Sequence, residues 1–369
     1  MLFLSFTLCI EVQGAVVYEY ELSDTGDKNA QGKLSRFMDS LPEEIKNELP
    51  DKNSWNFEDY DTAFFSKIIE NALKKALKPA IETLCMLLVC VVISAAFHIF
   101  ADNLSGESLK GIFSLCSSLC FSLSIFASLR SVFLTVESLL SVLSETMMGM
   151  IPVMEAVYIS SGNLTTATVT STGVTLMIGF TQTLFSRVLF PAAYSLFILA
   201  VCSAVTKNRT VLFMTRMMKG LIIGGMTLIM TLMTFVLSLQ SNGAAMADGL
   251  AVKTVKFAIG SYIPIVGGGL AESFSVLSSS LNVIRQGSGI VGIAVILIAF
   301  LPPFAMILMS RIAIAFSEAI STVLGCESEG ELLRECKGIC TLLLSISAAA
   351  AVMYIIALGI FCKTPLALG

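Results

Sequence analysis

Charge is the first thing this chain lacks: only 14% of its 369 residues are Asp, Glu, Lys or Arg, where soluble domains carry about 25%. With 55% hydrophobic residues and a mean hydropathy of +0.84, the polar residues are too few to clothe a water-soluble globule. Histidine is nearly absent as well. The sole one, His98, stands near the end of an apolar stretch with no other metal ligand at usable spacing, and it reads as a helix-end polar residue. The ten cysteines include no C-x-x-C. Cys116 with Cys120, and Cys336 with Cys340, read as small apolar residues of membrane helices rather than as metal or disulfide sites. Also missing are G-x-x-x-x-G-K-[ST], H-E-x-x-H and G-x-S-x-G, so an ATPase, a zinc protease and a serine hydrolase have no support. Glu137 and Glu145 share a helix face but stand about 12 Å apart along its axis, too far to work as a carboxylate pair. The expectation is therefore no enzyme, no cofactor and no catalytic, cofactor-binding or metal-ligating residue.

What the chain has instead is a succession of apolar stretches joined by short polar links. A bilayer core of about 30 Å needs about 20 apolar helical residues. About eight stretches meet that length: 79–101, 111–129, 132–157, 167–187, 188–205, 219–239, 289–310 and 338–361. The expected fold is all-α, a polytopic helical membrane protein. The third stretch carries Glu137, Glu145 and Glu155, so an interfacial helix or one facing a polar interior competes with a crossing there.

The domain organisation follows from composition. Residues 1–14 hold an apolar run, Leu2 to Ile10, that is too short to span and reads as a signal peptide cleaved after Gly14, although no basic residues precede it. Residues 15–61 form a small acidic extracytoplasmic segment containing the only tryptophan, Trp55, and a helix start at Ser40, Pro42, Glu43 and Glu44. Acidity here argues against a nucleic-acid partner. Residues 62–78 alternate apolar positions with Lys67, Lys74, Lys75 and Lys78 as an amphipathic helix, either lying on the membrane surface or packing on the acidic segment. Residues 79–369 form the polytopic domain. With the N-terminus outside, the links bearing Lys207, Arg209, Arg216 and Lys219, and Arg311, Arg334 and Lys337, fall on the cytoplasmic side, as the positive-inside rule asks; Lys67 to Lys78 fall on the other side and conflict with it.

Residues 241–288 are too long for a link and too interrupted for one span. The run Ile263, Pro264, Ile265, Val266, Gly267, Gly268, Gly269 breaks a helix. Such backbone is tolerated at membrane depth where protein buries it or water reaches it, which predicts a broken or re-entrant element near 254–285; a surface hairpin is the alternative. The spacing from Pro152 to Pro191 equals that from Pro264 to Pro303, a pattern consistent with a repeated, transporter-like architecture. Pro152, Pro191, Pro264, Gly267, Gly268, Gly269 and Pro303 are thus the candidate conduit positions. Glu82, Arg187, Glu272, Arg285 and Glu318 are the candidate polar intramembrane residues. Gly220, Gly224 and Gly225 suggest a close helix-packing surface, within one chain or between chains.

The order of signal-like start, acidic segment, basic amphipathic helix, MGMIPVMEAVYISSGN, KNRTVLFMTRMMKGLIIGG and KFAIGSYIPIVGGGLAESFSVLSSSL resembles the stage III sporulation protein AE family of endospore-forming bacteria. FAIGSYIPIVGGGLAESFSVLSSS is the most specific part of that resemblance. It implies a multi-pass protein of the mother-cell-derived membrane around the forespore, a structural or conduit-forming subunit of a transenvelope channel, often pictured as a feeding tube. The partners implied by the resemblance are the other stage III sporulation membrane proteins of the same operon; from the residues themselves come the lipid bilayer, no nucleic acid, and, through the Gly and Ser faces, either a homo-oligomer or partner docking or packing within one monomer. The alternative is a permease moving a small solute, which would require polar side chains converging at the bilayer midplane beside the broken helix.

Overall fold

Alanine, leucine and other good helix formers dominate the apolar stretches, and in a bilayer a helix satisfies every backbone polar group internally. In the computed structural model, which describes residues 27–49, 62–102, 107–160, 163–206, 209–262 and 267–363 (for 247–286 the backbone only), the described residues are helical with no strand. The elements are α1 (Asp27–Ser40), α2 (Glu43–Lys46), α3 (Thr62–Asp102), α4 (Glu107–Ser160), α5 (Leu164–Leu184), a π-helical turn (Phe185–Leu189), α6 (Phe190–Thr206), α7 (Arg209–Tyr262), α8 (Gly267–Val323) and α9 (Glu327–Lys363). The chain is an all-α polytopic membrane protein. The signal reading at 1–14, Trp55 and the link 263–266 with Pro264 lie outside the described residues.

Where about eight crossings are expected, the described helices supply six that are long and apolar enough: Ser66–Phe100, Cys116–Ser160, Leu164–Ser203, Phe213–Met233, Gly287–Val323 and Glu327–Cys362. Two expected pairs merge. The stretches 111–129 and 132–157 run on as α4, because Leu129 to Val132 contains nothing that turns a chain. At 54 residues α4 is ~81 Å long, against a hydrocarbon core of about 30 Å, so it crosses once and projects beyond it. Likewise 167–187 and 188–205 are one rod, joined by the π-helical turn. Pro191 just beyond it has no N–H to give the carbonyl of Arg187, and the wider turn absorbs that lost bond. Proline is tolerated elsewhere too: Pro79, Pro152, Pro302 and Pro303 all lie inside continuous helices.

With six crossings and short links, the α3–α4, α6–α7 and α8–α9 connections share one end of the bundle. Side-chain contacts agree: Ser94 near the end of α3 meets Ser117 near the start of α4, Lys219 of α7 meets Glu335 of α9, and at the far end Tyr158 of α4 meets Phe361 of α9. The shared end holds Arg216, Lys219, Arg334 and Lys337 and is here called the basic end. Lys67 to Lys78 stand at the start of α3, whose other end is the basic end, so their conflict with the charge rule persists.

The core sits where α4, α8 and α9 meet, and its largest fully buried side chains include Leu143, Met147, Met150, Tyr158, Tyr354 and Phe361. α3 runs against α8 at close range through Ala72, Ala76 and Ala305. Its helix is unbroken from Thr62 through Pro79, so the amphipathic segment and the first span form one rod. The apolar side of that rod divides: Ile68, Ala72 and Ala76 are buried, whereas Ile69, Leu73 and Leu77 face outward. Of the basic residues, Lys75 reaches Glu48 of the acidic segment (3.4 Å), beside Asn71 at 3.2 Å. α1 lays Leu34, Phe37 and Met38 on the bundle, and Gly149 makes room for the Phe37 ring, whose Cδ2 would stand 2.7 Å from an added Cβ. Ser40 does not cap α2, which starts after Pro42; its hydroxyl turns back to the carbonyl of Phe37 (2.6 Å).

Candidate functional site

Among the described residues, the positions singled out from sequence are spread over α3, α4, the π-helical turn, α6 and α8. Glu82 is exposed on α3, Arg187 is exposed on the π-helical turn, and Pro152 and Pro191 are exposed on α4 and α6. Pro303 is half-buried in α8. Gly267, Gly268 and Gly269 open α8, and the side chains of Glu272 and Arg285 are outside the description. α7 ends at Tyr262 and α8 begins at Gly267, so whether the chain between them re-enters the bilayer or caps a hairpin turns on residues outside the described ones. Of the four prolines of the repeated spacing, Pro152 lies inside α4, Pro191 at the start of α6 and Pro303 inside α8, and Pro264 lies outside the described residues. Glu137 and Glu145 are exposed on α4, Glu145 accepting a bond from Ser141 (3.0 Å).

Polar chemistry gathers instead at the basic end, in three groups each built around a glutamate. Glu318 of α8 pairs with Lys337, with Arg334 further off at 3.9 Å. Glu335, buried on α9, takes Lys219 of α7 at 2.5 Å, with Arg216 at 3.9 Å. Gly338, one turn on, gives Lys219 its passage, since a Cβ there would collide with the ammonium. Nearby, Arg311 Nε donates to Thr341 Oγ1 at 2.9 Å, tying α8 to α9.

Glu329 centres the third group and is 1% exposed. Its Oε1 accepts from Ser94 Oγ at 2.7 Å and stands 3.2 Å from His98 Nε2; Ser94 in turn shares a bond with Ser117 Oγ at 2.8 Å. Cys326 Sγ joins them, the histidine, cysteine and glutamate ligand atoms all lying within 4.8 Å of one another. The α8–α9 turn holds Cys326 in place. Gly325 takes the left-handed conformation (φ 75°) that ends α8, the Cys326 N–H donates to Ser321 O at 3.0 Å, and Ser321 Oγ donates to the Cys326 carbonyl at 2.9 Å. Burial, and then the nearby Glu329 carboxylate, push the Cys326 thiol above its usual range, partly offset by Ser94.

His98 thus has partners that no local spacing could reveal, because they lie at the other end of the chain. Glu329, Glu335, Ser94, Ser117 and Cys326 escape sequence reasoning for the same reason. A lone serine or glutamate at a helix end carries no signal until the fold supplies its neighbour.

α7 is the outlier of the bundle. Only 6% of its apolar span is buried inside the molecule, against 56% for the spans of α8 and α9. It docks through Thr215, Met226 and Lys219, and presents Phe213, Met217, Leu221, Leu228 and Leu232 outward. Gly220, Gly224 and Gly225 share this outward exposure; a Cβ added at any of them would meet nothing within 4 Å. Their packing surface is therefore not one used within the chain's described residues.

A family profile described as stage III sporulation protein AE matches residues 46–364, nearly the whole chain. The chain belongs to the stage III sporulation protein AE family. A relative named stage III sporulation protein AE from Bacillus subtilis (strain 168) is 21% identical over 300 residues, covering 79% of this chain and 73% of the relative. No solved structure matches. The family is named for a stage of sporulation and for no reaction, and its match spans α3 to α9 together with the acidic-segment residues from Lys46.

Proposed function

We propose that this protein is a structural membrane subunit of a sporulation channel complex between mother cell and forespore, and that it joins the complex through the outward face of α7. The observation that carries this reading is the unpartnered glycine face of Gly220, Gly224 and Gly225 on a helix with almost no burial in its own bundle. Small residues let helix backbones approach closely, and helix association in lipid depends on that packing rather than on apolar character alone. Lipid would cover leucines and phenylalanines equally well, but it gains nothing from three glycines on one face.

In this reading the partners are the other stage III sporulation membrane proteins, the membrane is the one around the forespore, and the basic end faces the mother-cell cytoplasm. The chain performs no catalysis. Any conduit runs between subunits, because the described centre of this bundle is filled by Leu143, Met147, Met150, Tyr354 and Phe361. The permease reading is less well supported, since the buried charged groups among the described residues, Glu329 and Glu335, collect at the basic end and not at the midplane.

The test is to express a tagged chain in sporulating cells with Gly220→Leu and Gly224→Leu. The expected result is normal membrane abundance, loss of the co-purifying sporulation membrane proteins and a fall in spore yield. Unchanged co-purification and spore yield would refute the α7 docking face.

A further inference from the structure

The three glutamates at the basic end differ in one respect: Glu318 and Glu335 have lysine and arginine partners, whereas Glu329 among the described residues faces no lysine or arginine, only His98 and the Cys326 thiol. Glu329 is also the most buried, and its second carboxylate oxygen, Oε2, is buried with no hydrogen-bond partner among the described residues. Leaving a charged oxygen buried and unsatisfied is strongly unfavourable. The N-terminus of α9 favours a carboxylate there only weakly by comparison.

We propose that His98, Cys326 and Glu329 form a structural binding site for a divalent transition-metal ion of the zinc class. The donor set is one imidazole nitrogen, one thiol sulfur and one carboxylate oxygen, a mixture suited to zinc and borderline ions and unsuited to magnesium or calcium, which take oxygen. Three protein ligands leave the fourth tetrahedral position to a water, and their spacing is near that of a bound ion. Ligand atoms around a tetrahedral zinc stand about 3.5 Å apart, as follows from bond lengths of about 2.0–2.3 Å; here all three lie within 4.8 Å, a difference that side-chain rotation removes. Charge also balances: a thiolate and a carboxylate meet a dication, and the Cys326 proton leaves to solvent as the ion binds.

The surroundings are organised for it. Ser94 donates to the ligating carboxylate and is itself held by Ser117, the kind of outer contact that orients metal ligands. Cys326 is fixed by the Gly325 turn, and the half-buried His98 leaves an entry path. Bound there, the ion would staple the end of α3 to the α8–α9 turn, joining elements far apart in sequence.

The experiment uses the full chain purified in detergent and stripped with chelator, titrated with Zn2+ and, for its spectrum, with Co2+. The expected result is one ion per chain and a thiolate-to-cobalt charge-transfer band that disappears in Cys326→Ser but persists in Cys85→Ser. His98→Ala and Glu329→Gln should weaken Zn2+ binding by at least about tenfold, since even outer-shell partners are worth 10–100-fold. Glu329→Gln still accepts the Ser94 bond, so the fold is preserved; if any variant misfolds, stoichiometry and the thiolate band of the unaltered chain decide alone. No stoichiometric Zn2+, a cobalt spectrum without thiolate, or a band that survives Cys326→Ser would overturn the site and leave His98 and Glu329 as a simple side-chain contact.

Discussion

Gly289 and Gly224 are both helical, yet their neighbourhoods are opposite. At Gly289 an added Cβ would run into Cys362 Sγ, where α8 passes the end of α9; at Gly224 it would meet nothing. Overpacking a filled site costs about 1–3 kcal/mol, whereas Gly to Ala in an open helix gains about 0.8–1 kcal/mol. Thermal unfolding in detergent should therefore give opposite signs: Gly289→Ala lowers the midpoint and Gly224→Ala raises it. Equal effects would mean that the two faces are not buried as described. Sequence alone offers no way to tell these glycines apart. Each lies in a helix that crosses the bilayer, and only the fold decides which of them touches a neighbour.

At the scale of elements, the spans are legible because a bilayer imposes a length, and Phe100, Gly287 and Cys362 lie close to where the sequence reading starts or ends them. Their number is less legible. Hydropathy reports whether a stretch is apolar but not whether the chain turns between two stretches, so Leu129 to Val132 and Arg187 to Val188 appear as gaps where the helix continues. The pairings that join elements are invisible for a different reason: Ser94 and Glu329, or Lys219 and Glu335, are linked by helix packing and not by any motif. Lys219 and Glu335 tie α7 to α9 and so attach the outlying helix to the core. Removing one member leaves a buried charge unpaired, at a cost of about 3–5 kcal/mol, whereas replacing both with apolar residues is often neutral. Lys219→Met should lower the unfolding midpoint markedly, and Lys219→Met with Glu335→Met should restore most of it. A double variant as unstable as the single one would show that the pair is not what holds α7.

For the whole molecule, one face of the bundle is closed and another is open. α4, α8 and α9 bury large side chains against one another, α3 and α1 pack onto them, and α7 stands at the side with its glycines outward. The sequence reading anticipated a membrane protein of the stage III sporulation protein AE family and the small-residue face, but not which way that face looks, because a glycine motif packs equally well inside a chain or between chains. Direction comes only from the fold, and it is the basis for treating the protein as an assembly subunit. Site-specific photo-crosslinking along α7 in sporulating cells tests this most directly, with the probe placed in turn at Gly220, Leu221, Leu228 and Leu232 outward and at Thr215 and Met226 inward. The account predicts protein adducts from outward positions on the glycine face and none from inward ones except to this chain itself. Outward positions that yield lipid adducts alone would contradict it.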